Sequence, residues 1–524
     1  MSSFVSPYAR SPVEEVVPDS MKVRGLSKAS ILTGRRRIRV IPQTGTAYSP
    51  SSGVSLANIL LQDSAGMLDL QSCVLSFRLK VSTNGPNPTL PTETGVPDDF
   101  AWSVLRRVQI SLNSVLCDDI DYVSKRATAE VYGSASKSWY NSVGTQMGAW
   151  KFIGDGAAVG GLPGLAQSGT LSAGFTVPKN DVDDKLAIAS ARFKNVVYDA
   201  ATTSWIAAST DGGGQYFSVP MSMLSHFFRQ ESLFSLRNAG QLYIQLLFAS
   251  PQEALFVGPA ATWSANYVVT DLVLECDIVT AHPEYTSMID EICSRSESEG
   301  LAYAFDSHLV SVQQVSGSGA GGTQQTFTVI ASKATQNCRS LHWVQQPQAG
   351  LSTQAWLEQS TFNCNDTNQW QIRIGSVYFP AFPSQGLSKN FMELMSSFNS
   401  PTESVGQACV IDAQSWKVTT TSPAAVVPNA GMSITAPIYN NGTAQAADNQ
   451  VFRYSDQYIG GYCFDNLKHA EVLSHDGVST LAMSGSQIQL EIRCTPAEAG
   501  TAVTYFIRFT RTVLLSENGV QIVG

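Results

Sequence analysis

Apolar and polar residues alternate with a period of two along much of this chain. Cys73, Leu75, Phe77, Leu79 and Val81 alternate with Val74, Ser76, Arg78 and Lys80, and Val108, Ile110 and Leu112 with Arg107, Gln109 and Ser111. The same rhythm recurs at Leu242, Ile244, Leu246 and Phe248, at Leu272, Leu274, Cys276 and Ile278, and at Trp370, Ile372 and Ile374. It returns near the end at Ile488, Leu490, Ile492 and Cys494 and at Val503, Tyr505, Ile507 and Phe509. Each run predicts a strand with one face on a core. Many such strands joined by long polar connections predict an antiparallel sandwich or barrel.

Helical spacing is confined to a few short stretches. Met221, Leu224 and Phe228 follow Pro220, which is expected in a helical first turn. Tyr285, Met288, Ile289 and Ile292 follow Pro283, and Leu387, Phe391, Leu394, Met395 and Phe398 form a third stripe. Stripes of this kind are core packing before they are cofactor sites.

The pattern repeats. A strand at 107–112 leads through Asn113-Ser114-Val115 to an extended stretch and a short helix near 122–132. Gln369–Ile374 leads through Gly375-Ser376-Val377 to an extended stretch and the helix Leu387–Phe398. A long stretch rich in Gly, Ser, Thr, Asn and Ala follows each helix, at 133–214 and 400–449, and each half closes with two alternating strands. The offsets between matching landmarks fall from about 264 to 246 to 234, as they would if one topology occurred twice with shorter connections the second time.

Composition narrows the class. Charged residues are 14% of the 524, against roughly a quarter in ordinary globular chains. With 40 Gly and 23 Pro the chain is neither collagen-like nor wholly disordered. No apolar run approaches the ~18–20 residues of a membrane-spanning helix. The opening residues lack the order of a signal peptide, and nine cysteines stand scattered without tight pairs. We therefore expect a soluble chain with free thiols, assembled in a reducing compartment. The net charge of −9 is unevenly spread: residues 1–40 hold eight basic and three acidic residues, so the rest carries −14. Lys22, Arg24, Lys28, Arg35, Arg36, Arg37 and Arg39 make this a basic arm on an acidic body. It reads either as the solvated start of an edge strand or as an electrostatic footprint for nucleic acid, an anionic membrane or an acidic protein.

Signs of chemistry are few. Gly317 to Gly322 matches G-x-G-x-x-G, but a strand follows it instead of the helix that would hold a pyrophosphate, so it reads as a hairpin loop. Histidines 226, 282, 308, 342, 469 and 475 show no zinc-ligand spacing and read as core or loop residues. Asp118, Asp119 and Asp121, like Asp181, Asp183 and Asp184, lack the glycine and distal Glu of a calcium loop and read as solvated loops. The sequons at Asn365 and Asn441 read as chance. No catalytic, cofactor or metal site is expected.

Three segments carry a resemblance to a known family. Gly66-Met-Leu-Asp-Leu-Gln-Ser-Cys-Val-Leu-Ser-Phe77 resembles the early strand of the first barrel in double jelly-roll major capsid proteins, the lineage of adenovirus hexon, virophages and polinton-like viruses. Val219-Pro-Met-Ser-Met-Leu-Ser-His-Phe-Phe-Arg-Gln-Glu-Ser-Leu-Phe234 resembles the short helix before that barrel's last strands. Gln369-Trp-Gln-Ile-Arg-Ile-Gly-Ser-Val-Tyr-Phe-Pro380 resembles the second-barrel signature of the polinton-like group.

The resemblance implies an all-β chain of two tandem eight-stranded antiparallel jelly-roll barrels with a few short helices. Its expected divisions are an arm at 1–40, a first jelly roll at 41–282 with an outer loop at 133–214, a helical linker at 283–300, and a second jelly roll at 301–524 with an outer loop at 400–449. It implies a structural, non-enzymatic protein of the virion without a small-molecule substrate. Three chains would form a pseudo-hexameric capsomer of an icosahedral double-stranded DNA virus. Other capsomers, minor capsid and penton proteins are the expected partners, and the arm would lie inside, near genome or internal membrane. The competing readings are a carbohydrate-binding adhesin or spike of tandem β-sandwiches, whose loop aromatics would include Trp139, Trp150, Trp205 and Trp263, and a cupin-like enzyme, which would need a His/Glu metal set on its strands.

Overall fold

The computed structural model describes residues 32–50, 53–63, 66–82, 95–150, 196–199, 204–207, 214–230, 232–257, 263–294, 300–317, 324–331, 338–348, 351–354, 357–363, 365, 367–398, 409–411, 457–464, 487–494, 500–517 and 519–523. Sixteen strands carry the architecture. In the first half they are β1 (Leu32–Val40), β2 (Leu56–Leu61), β3 (Met67–Val81), β4 (Leu105–Leu112), β5 (Val115–Asp121), β6 (Gln215–Pro220), β7 (Leu242–Phe248) and β8 (Tyr267–Ala281). In the second they are β9 (Leu301–Val315), β10 (Gln325–Ala331), β11 (Cys338–Pro347), β12 (Gln369–Ile374), β13 (Val377–Gln385), β14 (Ile459–Cys463), β15 (Ile488–Cys494) and β16 (Thr501–Ser516).

Pairing follows one rule twice. The first half builds two antiparallel sheets ordered β1-β8-β3-β6 and β2-β7-β4-β5; the second builds β9-β16-β11-β14 and β10-β15-β12-β13. Adding eight to each strand number of the first half gives the second, so the repeat seen along the sequence is a repeat of strand order. The same short connection occurs at the same place in each. Asn113 and Ser114, both at positive φ, join β4 to β5 with Leu112 opposite Val115, a tight turn whose twist suits a hairpin. Gly375 at φ 60° and Ser376 join β12 to β13 with Ile374 opposite Val377.

Alternation explains the interior of each half. Cys73, Leu75, Phe77 and Leu79 of β3 are buried, as are Ile59 of β2, Val108 and Ile110 of β4 and Ile244 and Leu246 of β7. In the second half Val329, Trp343, Trp370, Ile372, Leu490, Ile492, Val503, Tyr505 and Ile507 form one cluster between the two sheets. Period two fails on β11, where most residues are buried, and over Thr501–Ile507 of β16, where all are. The reason is a second covered face: His342, Val344 and Phe506 point away from the second core, and of these Val344 and Phe506 join the first half's apolar cluster, together with Phe305 and Ile459. The sheet β9-β16-β11-β14 thus lies between two cores.

Three helices have eleven or twelve residues: α1 (Val123–Ser134), α2 (Pro283–Cys293) and α3 (Leu387–Phe398). Pro283 opens α2 as expected, capped by His282, although Met288 of its stripe is exposed. Pro220 differs from expectation. It ends β6 and precedes a single helical turn, Met221–Leu224, followed by the tight turn His226–Arg229, because Ser225 is extended and interrupts the helix. Nor does the chain leave the body at 133. A polar cluster holds it as far as Trp150: Tyr132 and Tyr140 donate to Asp99, as does the Trp150 backbone amide at 3.0 Å, and the Trp150 indole donates to Pro97 O at 2.9 Å. From 151 to 213 only the hairpin Val196–Asp199 with Ser204–Ala207 is described, and within 400–449 only 409–411. Among the described residues no helix is long and apolar enough to cross a membrane.

Candidate functional site

The basic segment ends as a strand. Residues 32–40 form β1, hydrogen-bonded along β8 at the edge of its sheet. Alternate side chains of a strand share one face, which brings Arg35 and Arg37 together over Asp277 of β8. Arg35 Nε donates to Asp277 Oδ2 at 2.9 Å and Arg37 Nε to Oδ1 at 3.0 Å. Hydrogen bonding from Arg37 and Arg35 holds the Asp277 carboxyl below its ordinary range. Arg36 pairs with Asp63, and Arg39 Nε lies 2.8 Å from Glu275 Oε1. Arg35, Arg36, Arg37 and Arg39 of the predicted arm are thus brought together on one edge strand, each beside an acid of its own chain. Lys22, Arg24 and Lys28 lie outside the described residues.

A second polar constellation joins the two halves. Short polar turns place α1 and the turn at His226 against β9, β11 and β16, and the buried charges there satisfy one another. Arg126 of α1 donates through Nη2 to Met223 O and Leu224 O, each at 2.7 Å, and through Nη1 to Glu130. Glu130 also takes Arg229 Nη1 at 2.7 Å and lies 3.0 Å from His226 Nε2, which in turn lies 3.3 Å from Arg126 Nη1. Burial favours a neutral Glu130 carboxyl, but Arg229, His226 and Arg126 together hold it well below the usual range. On the other side Asp306 of β9 accepts from Arg508 Nε at 2.7 Å and Arg339 Nη1 at 3.1 Å, and these cations likewise outweigh its burial.

Three histidines fill the space between these pairs. The His226 and His308 rings meet edge to face at 4.7 Å, and His342 stacks on Phe398 of α3 at 4.1 Å. Burial pushes His226 down to about 4 and His342 to about 3, and carries His308 well below its usual value. Arg126, Glu130, His226, His308, His342 and Arg508 line a cavity of about 20 Å³, room for a single water. Buried His308 Nδ1 has no hydrogen-bond partner among the described residues.

The acidic triplet read as a solvated loop lies instead on β5. Asp119 and Asp121 face solvent beside Arg107 and Arg106, whereas Asp118 is fully buried and accepts from Ser225 and, at 2.6 Å, from Ser307 of β9. Burial raises the Asp118 carboxyl above its usual range, which the two serine hydroxyls oppose. Beyond it Arg511 Nη1 of β16 donates to Cys117 O at 2.8 Å. On the far side of α1, Lys125 donates to Gln346 Oε1 at 2.7 Å, and Asp98 accepts from Gln359 and Ser360.

Sequence reasoning read histidines 226, 308 and 342 as core or loop residues and did not bring them together. Nothing in their spacing joins residues 82 and 34 positions apart; the signal was only the run Ser225-His-Phe-Phe-Arg229, polar groups inside an apolar stretch. Among the described residues no three His, Cys, Asp or Glu side chains converge to hold a metal ion. Outside the described residues lie 318–322 of the glycine motif, the acidic triplet Asp181, Asp183 and Asp184, the histidines His469 and His475, and the sequon at Asn441. No disulfide joins the eight described cysteines to one another. Of the loop tryptophans that an adhesin would use, Trp150 is buried, and Trp139 and Trp263 pack half-buried against the first core.

Neither a family model nor a curated protein matches the sequence. Solved structures do match along the whole chain. VP54 of the virus PBCV-1, fitted into a reconstruction of the virophage Sputnik, is 9% identical, with 96% of this chain and 99% of that one covered at a TM-score of 0.52. A structure of the Sputnik virophage is 12% identical, with 95% and 90% covered and a TM-score of 0.52. The PBCV-1 capsid matches at 9% identity, 96% and 99% coverage and 0.51. The chain has the fold of the double jelly-roll capsid lineage.

Proposed function

We propose that this chain is a structural major capsid protein whose trimers form pseudo-hexagonal capsomers in the shell of an icosahedral double-stranded DNA virus. One observation carries the reading: an eight-strand order occurs twice in a single chain, and the whole of that arrangement, not one half of it, matches VP54. Two jelly rolls per chain and three chains give six similar units, which suits a hexagonal tile. Low charge supports the same reading, since charged residues are depleted at interface cores.

The divisions at 41–282, 283–300 and 301–524 are proposed as the units of this tile. Residues 1–40 are proposed to work in two parts. The arginines of β1 tie the segment to the body, and residues 1–31, with four basic and three acidic residues, reach a neighbouring capsomer or a minor capsid or penton protein in preference to genome or membrane. Negative-stain microscopy of the purified protein tests the reading. Class averages should show pseudo-hexagonal particles with six lobes; single two-lobed particles at micromolar concentration would reject it.

A further inference from the structure

The two halves of the chain meet through particular strands, and the counterparts of those strands carry exposed side chains. Within the chain, edge strand β5 of the first half lies against edge strand β9 of the second, with β16 behind it. Ser307 to Asp118 and Arg511 to Cys117 O bond across this contact, and Cys117, Asp118, Ile120 and Ser307 are at most 1% exposed.

By the strand order, the counterpart of β5 is β13 and the counterpart of β9 is β1. Both are edge strands, and among the described residues no strand pairs with the outer edge of either. On β13 Phe382 is 80% exposed, Val377 53% and Tyr378 39%. Every residue of β1 except Ile38 and Val40 is exposed, and Ile41, next along the chain, is 66% exposed. An open edge with large apolar side chains invites pairing and is normally covered.

We infer that β13 of one copy docks against β1 of a second copy of this chain, repeating between chains the contact that β5 makes with β9 within one. This inference rests on the capsomer reading and names its contact surface. Such a contact uses different surfaces on the two partners, so it propagates from chain to chain and closes a ring where the rotation allows. The chemistry of the two edges fits. β1 presents the guanidinium groups of Arg35, Arg36, Arg37 and Arg39, more than half exposed even while paired, and β13 presents the rings of Tyr378 and Phe382, on which such groups stack. Arg373 already stacks on Tyr378 within the chain, at 5.6 Å.

The test combines a disruptive variant with a cross-link. Val377→Asp with Phe382→Asp changes two exposed side chains, so near-ultraviolet circular dichroism should stay native, while the trimer should be lost to monomer at micromolar concentration. Independently, Gly34→Cys with Phe382→Cys, treated with a short bismaleimide, should give covalent dimers and trimers on a denaturing gel, and either substitution alone should give no more than the wild type. A Cβ at Gly34 meets nothing within 4 Å, so that substitution leaves the fold alone. If the aspartate variant does not fold, the cross-link decides. A wild type that is monomeric overturns the capsomer reading and this contact with it. A trimeric wild type that tolerates both aspartates, or whose double-cysteine variant yields no ladder, overturns the contact alone and leaves β13 to some other partner.

Discussion

Ser307 Oγ donates to Asp118 Oδ1 at 2.6 Å, joining β9 of the second half to β5 of the first through a carboxyl with no exposure to solvent. Asp118→Ala strands the hydroxyls of Ser225 and Ser307 in a buried site, and should cost about 1–3 kcal/mol. Because burial already raises this carboxyl, Asp118→Asn, which keeps an acceptor without the charge, should cost less. Denaturant melts of the two variants check the order; equal losses would mean that the charge, not the acceptor, holds the contact.

Acid should loosen the join between the halves. A histidine whose pKa is depressed by folding contributes stability that is complete above its unfolded value of ~6.5 and is lost as pH falls toward the folded value. His226, at about 4, and His342, at about 3, therefore each withdraw about 2 kcal/mol by pH 5. Between pH 6.5 and about 4 they act with His308 and largely without Glu130 and Asp306, which lose their contribution only below the unfolded carboxylate range, while Asp118, whose carboxyl burial raises, acts in the opposite sense. Melting temperature should fall from pH 7 to 5, and His226→Gln with His342→Gln should flatten that slope.

Leu490 stands mid-strand on β15 at 2% exposure, opposite Val329 and Ile372. Leu490→Ala should cost ~2–5 kcal/mol through lost burial and a residual cavity. An unchanged melting temperature would place this strand outside the core.

Gly460 of β14 lies opposite Trp343 of β11, and a methyl carbon there would stand 2.1 Å from the indole. Trp343 is itself fully buried and packed edge to face on Trp370, so it has little room to yield. Gly460→Ala should cost about 1–3 kcal/mol by overpacking, measured by thermal melting.

The arginines of β1 should contribute little to DNA binding. Four free cations on a nucleic acid would steepen the log–log salt dependence by up to ~0.9 each. Asp277, Asp63 and Glu275 already offset three of these four charges, so replacing Arg35, Arg36, Arg37 and Arg39 by Gln should change the slope by no more than about one unit. A change of three or four units would return the strand to the role of a nucleic-acid arm.

What could be read from residues alone was local and periodic. Alternation at Leu242–Phe248, Gln369–Ile374 and Ile488–Cys494 marked strands that the structure contains, and the falling offsets between the halves followed the strand order itself. The join between the halves was not legible, because it depends on residues more than 100 positions apart that no period connects, such as Asp118 with Ser307 and Arg126 with Asp306's partner Arg508. Alternation also misled where a sheet is covered twice: Thr504 and Phe506 of β16 occupy its outward phase yet are buried, Phe506 within the first half's apolar cluster. The arginine run read equally as the start of an edge strand or as a cationic footprint, and the choice was not legible because its acids, Asp63, Glu275 and Asp277, are distant in sequence and adjacent only across the sheet.

The central claim is that this chain is one third of a capsomer, and its mass in solution tests that most directly. Multi-angle light scattering at micromolar concentration and moderate salt should give three times the 56.3 kDa of one chain, unchanged on dilution through the micromolar range. A single species of 56.3 kDa, or a dimer, would contradict the account.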